Sequence, residues 1–146
     1  MADAMSLLLQ KSVDDEENAR RAMLAAQQAL DSYKLQLSQI ENYRLEYFRQ
    51  MTERGKGGLT ASSYGHLNKF INQLDETLVK QRNAGVQFED NLENSRQHWL
   101  ACRQQRKSIE WLIEKRQKEA AMAAEKREQK LMDEFAALSS RRQNLY

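Results

Sequence analysis

Proline is absent from this chain, so the residue that most strongly interrupts helices breaks neither of the long stretches on either side of its middle. Glycine is scarce, five in all, and three of the five stand together at Gly55, Gly57 and Gly58. Cysteine is reduced to Cys102, which excludes an internal disulfide and makes a reducing compartment the default. Aromatics make up 8% of the residues against 30% charged, so an ordinary globular core is not expected. No apolar run approaches the ~20 residues that span a bilayer. Leu7-Leu8-Leu9 is too short, and lacks the preceding basic segment, for a signal peptide. The formal charge of +2 argues against a protein built mainly to neutralise phosphates. A soluble cytoplasmic protein is expected.

What the chain does have is helical periodicity. Gly55-Lys56-Gly57-Gly58 should stop a helix, since each glycine costs a helix interior about 1 kcal/mol relative to alanine. Thr60, Ser62 and Ser63 then offer side-chain oxygens to cap a second helix opening near Ser62 or Ser63. Before the turn, Ala19, Met23, Ala26, Leu30, Tyr33, Leu37 and Ile40 alternate spacings of four and three; Arg44 interrupts, and Tyr47 and Met51 resume. After it the same alternation runs from Leu67 through Ile71, Leu74 and Leu78 to Ile109 and Ile113, softened at Gln81, Gly85, Ser95 and Arg106. These are heptad seams of the kind that pair two helices.

The expected fold is therefore all-α: two long helices in an antiparallel coiled-coil hairpin with unequal arms, one elongated domain over 1–146. Arm one covers about 4–54, the turn 55–62 and arm two about 63–141. The first helix starts near Asp3 or Ser6, or else at Ser12-Val13-Asp14-Asp15, which resembles a capping start; residues 1–11 would then be a separate arm. On that second reading Asp14–Glu17 would sit at the positive end of the helix dipole. With the turn centred near residue 58, facing positions have numbers summing to about 116. That places Leu30 against Gly85, Tyr47 near Phe70, Tyr43 near Leu74, and the acidic run opposite Arg96, Arg103 and Arg106. Beyond about Trp111 the longer arm has no partner.

Catalytic chemistry is not expected. The glycine stretch lacks the G-x-x-x-x-G-K-[ST] spacing of a phosphate loop and follows a helix rather than a strand. His66 and His98 have no second ligand at metal-binding spacing. Cys102 falls on the seam, where a small buried thiol is the ordinary reading. The carboxylates are spread over solvated faces with no concave pocket. No cofactor, metal or catalytic residue is assigned.

Surfaces for partners are expected instead. Residues 96–118 carry seven basic side chains against Glu110 and Glu114, with Trp99 and Trp111 among them. A coiled-coil chaperone or nucleic-acid-associated rod would use that stretch, although a solvated face with intramolecular pairing explains it as well. Near the turn, Tyr43, Tyr47 and Phe48 come from one arm and Tyr64, Phe70, Ile71 and Leu74 from the other. Consecutive residues point about 100° apart on a helix, so one member of Tyr47-Phe48 and one of Phe70-Ile71 must face outward. Exposed aromatics are preferred interface anchors. At the far end Leu131, Phe135 and Leu138 form an apolar stripe on an unpartnered helix, suited to docking or to self-association.

Asn42-Tyr43-Arg44-Leu45-Glu46-Tyr47, Phe70-Ile71-Asn72-Gln73-Leu74-Asp75 and Met132-Asp133-Glu134-Phe135-Ala136, in this order and spacing, resemble the FliJ family of flagellar type III export proteins. The resemblance, which extends to chain size and the glycine-rich turn, implies a stalk-like coiled coil that joins an export ATPase hexamer to the membrane export gate. It implies promotion of ATPase ring assembly and handling of flagellar substrate chaperones. It places the chain in the cytoplasm, peripheral to the inner membrane through the gate, with no nucleic-acid partner. The gate-binding surface it implies is Gln36, Ile40, Tyr43, Tyr47, Phe70, Leu74, Thr77 and Gln81; Thr77 and Gln81 depart from the side chains usual in the family. Leu131, Met132, Phe135 and Leu138 are the segment assigned to the ATPase ring.

Overall fold

Asp3 opens the first helix. Its carboxylate accepts a hydrogen bond from the Ser6 amide at 2.7 Å and its carbonyl accepts one from the Leu7 amide at 3.2 Å, supplying partners that a helix's first turn otherwise lacks. From there α1 (Ala4–Lys56) is continuous in the computed structural model, which describes residues 3–58 and 60–144. The acidic run Asp14–Glu17 thus lies inside the helix, and residues 4–11 belong to it rather than forming a separate arm. The cap-like pattern at Ser12 has another cause: Ser12 is buried, and its hydroxyl donates to the Leu9 carbonyl at 2.7 Å. A serine bonded back onto its own helix leaves no unmet donor in the seam. Replacing Asp3 by alanine should fray this end, raising amide exchange at Ser6 and Leu7 about fivefold, as loss of ~1 kcal/mol of capping requires. Exchange at Ile71 should not change.

The turn closes α1 with two glycines. The Gly57 amide donates to the carbonyls of Arg54 (3.0 Å) and Glu53 (3.3 Å), and Gly58 has φ of 86°, a conformation glycine adopts without strain. Gly55 remains within the helix. Thr60 then caps α2 (Ala61–Asn144): its Oγ1 accepts from the Ser63 amide at 3.1 Å and its carbonyl from the Tyr64 amide at 3.0 Å. The cap is Thr60 rather than Ser62 or Ser63, because only a residue preceding the helix can turn its side chain onto amides two or three further on.

Contacts gather the chain into two compact units, Asp15–Ala101 and Met1–Asp14 with Cys102–Tyr146. In the first, every seam position expected on α1 from Ala19 to Met51, and on α2 from Leu67 to Trp99, is buried or half-buried. The Tyr47 and Phe70 rings pack with centroids 4.5 Å apart, Arg44 pairs with Asp75, Arg82 with Glu41 at 3.3 Å, and Tyr33 stacks on Phe88 at 5.2 Å. As α1 numbers fall, α2 numbers rise, which makes the two helices of this unit antiparallel. The residue over Gly85 is Tyr33 and not Leu30: a Cβ at position 85 would lie 2.3 Å from the Tyr33 Oη. Residues three apart on α1 share a face, so counting from the turn could not separate them.

In the second unit, Ser12 and Ile109 are buried and Met5, Leu9, Leu112 and Ile113 half-buried. From Glu114 to Asn144 every side chain except Ser139 is exposed. Several charged groups find partners on their own helix. Arg20 donates two bonds to Glu17, and with Arg21 beside it this holds the Glu17 carboxyl at about 2. Arg96 bonds Glu93, and Arg106 bonds Glu110 at 2.9 Å. For Arg96 the expected partner in the acidic run is corrected to Glu93, which pairs one turn away without ordering a second helix.

Candidate functional site

The aromatic pairs near the turn divide as helical geometry requires. Ile71 is buried and Tyr47 half-buried, while Phe48 and Phe70 are exposed. Phe70 nonetheless lies against Tyr47, tilted by 59°, so its ring is braced from beneath and open above. On α1, Gln36 and Tyr43 flank the seam on one side; on α2, Phe70 and Thr77 flank it on the same side, given antiparallel helices and 100° per residue. Between them Ile40, Tyr47, Leu74 and Gln81 are half-buried and form the floor. All eight residues expected at the gate-binding surface therefore share one face. Tyr43 is its most open aromatic, 60% exposed, and the Thr77 hydroxyl is engaged with its own helix, donating to the Gln73 carbonyl at 2.9 Å. None of the eight carries a charge at neutral pH, so recognition here would rest on aromatic burial and neutral hydrogen bonds.

The opposite face differs. Arg44, which interrupts the apolar seam, reaches Asp75; together with Glu41 and Arg82 these side chains border a shallow groove over Leu45, Leu78 and Val79. Leu45 and Val79 are exposed, and sequence reasoning assigned neither to a surface. The available signal was that each falls outside the heptad. A double-mutant cycle of Arg44→Ala and Asp75→Ala should give a coupling of only about 0.5–1 kcal/mol, because the two side chains are 38% and 45% exposed.

At the other end of α2, Leu131, Met132, Phe135 and Leu138 are all exposed, Phe135 at 72%. Leu131, Phe135 and Leu138 form a stripe, and Met132 stands at its edge. Trp111 is also exposed, with the Lys115 ammonium 5.3 Å from the centre of its ring. Among the described residues no three His, Cys, Asp or Glu converge as a metal site would need, and no helix is long and apolar enough to cross a membrane.

The family model described as flagellar FliJ protein matches residues 1–145. The chain belongs to the flagellar FliJ family. Two curated members agree in extent. The flagellar FliJ protein of Escherichia coli (strain K12) is 26% identical over 140 residues, covering 95% of each chain. That of Salmonella typhi is 26% identical over 135 residues, covering 92% of this chain and 90% of its own. A solved structure described as a YscO homolog, CT670 of Chlamydia trachomatis, superposes with a TM-score of 0.58 at 17% identity, covering 92% of this chain and 87% of the other. At that identity the likeness concerns the fold alone. FliJ-family membership makes the chain a component of flagellar type III protein export.

Proposed function

We propose that this FliJ-family chain acts without catalysis, as one elongated coiled-coil domain that links the export ATPase ring to the membrane export gate. The observation that carries the proposal is the pairing of family membership with two separate uncovered apolar surfaces. One is the uncharged face around Tyr43 and Phe70; the other is the stripe of Leu131, Phe135 and Leu138. The first is assigned to the gate platform protein and the second, with Met132, to the ATPase hexamer. Promotion of ring assembly and handling of substrate chaperones complete the role, in the cytoplasm at the inner-membrane export apparatus. A chaperone or nucleic-acid rod built on 96–118 is less favoured, because Arg96, Arg106 and Lys118 are each paired with a glutamate on their own helix.

Ending the chain after Lys130 separates the two surfaces. The shortened protein should lose binding to purified export ATPase while keeping its affinity for the gate platform domain, both measured by titration calorimetry. Retained ATPase binding would remove the assignment of the distal stripe.

A further inference from the structure

Along one edge of α2 the charge alternates in sign at every seventh residue: Asp75, Arg82, Glu89, Arg96. On α1 the matching edge carries Lys34 and Glu41, a heptad apart and opposite in sign. Arg82 bonds Glu41 across the seam at 3.3 Å, and Arg44 reaches Asp75 beside it. One heptad further from the turn, the same spacing sets Lys34 opposite Glu89. Glu17, Glu93 and Glu110 find their arginines on the same helix, whereas Glu41 and Asp75 find theirs on the other.

Both cross-helix pairs are substantially exposed and add little to stability. Their consequence lies in the alignments they exclude. An apolar seam repeats every heptad, so two helices slipped by one heptad still bury it. The residue over Gly85 would change from Tyr33 to Ala26 or to Ile40, both smaller than the ring now received there. The turn would move by half a heptad, toward Gly55 one way and toward Ser62, Ser63 and Gly65 the other, all residues suited to turns. Neither seam nor turn therefore forbids a slip. The charges do. Slipped one way, Glu41 meets Asp75, Lys34 meets Arg82, and Arg44 exchanges Asp75 for Asn68. Slipped the other way, Glu41 meets Glu89, Lys34 meets Arg96, and Arg44 meets Arg82. Like charges across a seam are unfavourable by about as much as opposite ones are favourable, so each edge pair counts twice against a slip.

We propose that this alternating row sets the register of α1 on α2, and that Glu41, Arg44, Asp75 and Arg82 are thereby positioning residues for the uncharged face on the other side of the seam. A slip of one heptad displaces one helix along the other by about 10 Å. Phe70 would leave Tyr47 for the level of Ile40 or of Arg54, and Tyr43 would part from the α2 residues that complete its face. Only this functional consequence rests on the gate reading; the register is a property of the chain alone.

The test uses the full chain carrying Cys102→Ser, with spin labels on Leu35→Cys and Asn91→Cys, both at exposed positions. Lys34→Glu, Glu41→Lys and Arg44→Glu together make the present register repulsive and favour a slip. They should change the separation of the labels by about 4 Å or more. Affinity for the gate platform domain should fall about tenfold or more as the aromatic anchors come apart, while circular dichroism stays helical. Adding Asp75→Arg, Arg82→Glu and Glu89→Lys restores every pair with its signs exchanged, and should restore both the separation and the affinity. An unchanged separation in the first variant would overturn the proposal. So would a separation or a helicity that the full reversal fails to restore. A separation that follows the charges while gate affinity stays constant would overturn the positioning role. The gate assignment itself answers to Tyr43→Ala, which leaves every charge of the row in place.

Discussion

Alanine at position 85 is expected to lower the melting temperature by roughly 3–6 °C, even though it replaces a glycine in the middle of a helix. Helix propensity alone favours alanine by about 1 kcal/mol. Against this, the new Cβ would lie 2.3 Å from the Tyr33 Oη, 2.6 Å from its Cζ and 2.9 Å from its Cε1. Tyr33 is buried, and its ring stacks on Phe88 at 5.2 Å. The ring is rigid, so moving its hydroxyl end by the required amount shifts the whole ring along Phe88 or pushes the helices apart. Overpacking costs about 1–3 kcal/mol, and three contacts under 3.0 Å to a rigid buried ring put this one at about 2–3 kcal/mol. The net loss of about 1–2 kcal/mol corresponds to the stated shift for a chain of this size. A second substitution identifies the cause. With Tyr33→Leu present, the space over residue 85 opens, and Gly85→Ala should become neutral or stabilising, giving a non-additive cycle of at least about 1 kcal/mol. If Gly85→Ala alone raises the melting temperature, Tyr33 has an easy alternative rotamer and does not fix the pairing of the helices.

That pairing shows where sequence was enough and where it was not. The seam of α1 was readable residue by residue from Ala19 to Met51 and that of α2 from Leu67 onward, because burial on a paired helix follows spacing alone. Met5, Leu9 and Ser12 were missed because a capping-like pattern at Ser12 suggested a helix start. Even the anomaly at Gly85 could be recognised as room for a large side chain, but its occupant is Tyr33, one turn from the expected Leu30. The exact start of each helix within the turn decides which of two residues on the same face arrives, and Thr60 opens α2 earlier than the two serines suggested. Charges were the least legible part. An arginine can reach a glutamate three or four residues away as readily as one across the seam, and Glu17 and Arg96 take the nearer choice. Arg44 is different: it occupies a seam position, so its side chain leaves the interface toward the other helix and meets Asp75. The face around Tyr43 was legible because consecutive aromatics cannot both be buried; the partner proposed for it rests on family likeness and not on its geometry.

Tyr43→Ala is expected to weaken binding to the export-gate platform domain about thirtyfold or more while leaving thermal stability unchanged. The ring is 60% exposed, so truncating it removes little from the fold of the free protein. An aromatic anchor buried at an interface centre is commonly worth 2 kcal/mol or more, which sets the size of the loss. Tyr47 is a poorer probe, because its ring supports Phe70 at 4.5 Å and its removal would disturb the floor of the surface along with any partner contact. Phe70→Ala should show both effects: loss of gate affinity, and a drop in stability of about 0.5–1.5 kcal/mol from the broken aromatic pair in addition to lost burial. The absence of charge from the surface adds a separate signature. Affinity for the gate should change little as ionic strength is raised to about 1 M, where the screening length falls to roughly 3 Å and contacts between exposed charges fade. Full gate binding by Tyr43→Ala, or a steep fall of affinity with salt, would move the gate contact off this face and toward the groove bordered by Arg44, Asp75, Glu41 and Arg82, whose ion pairs such a salt response would report.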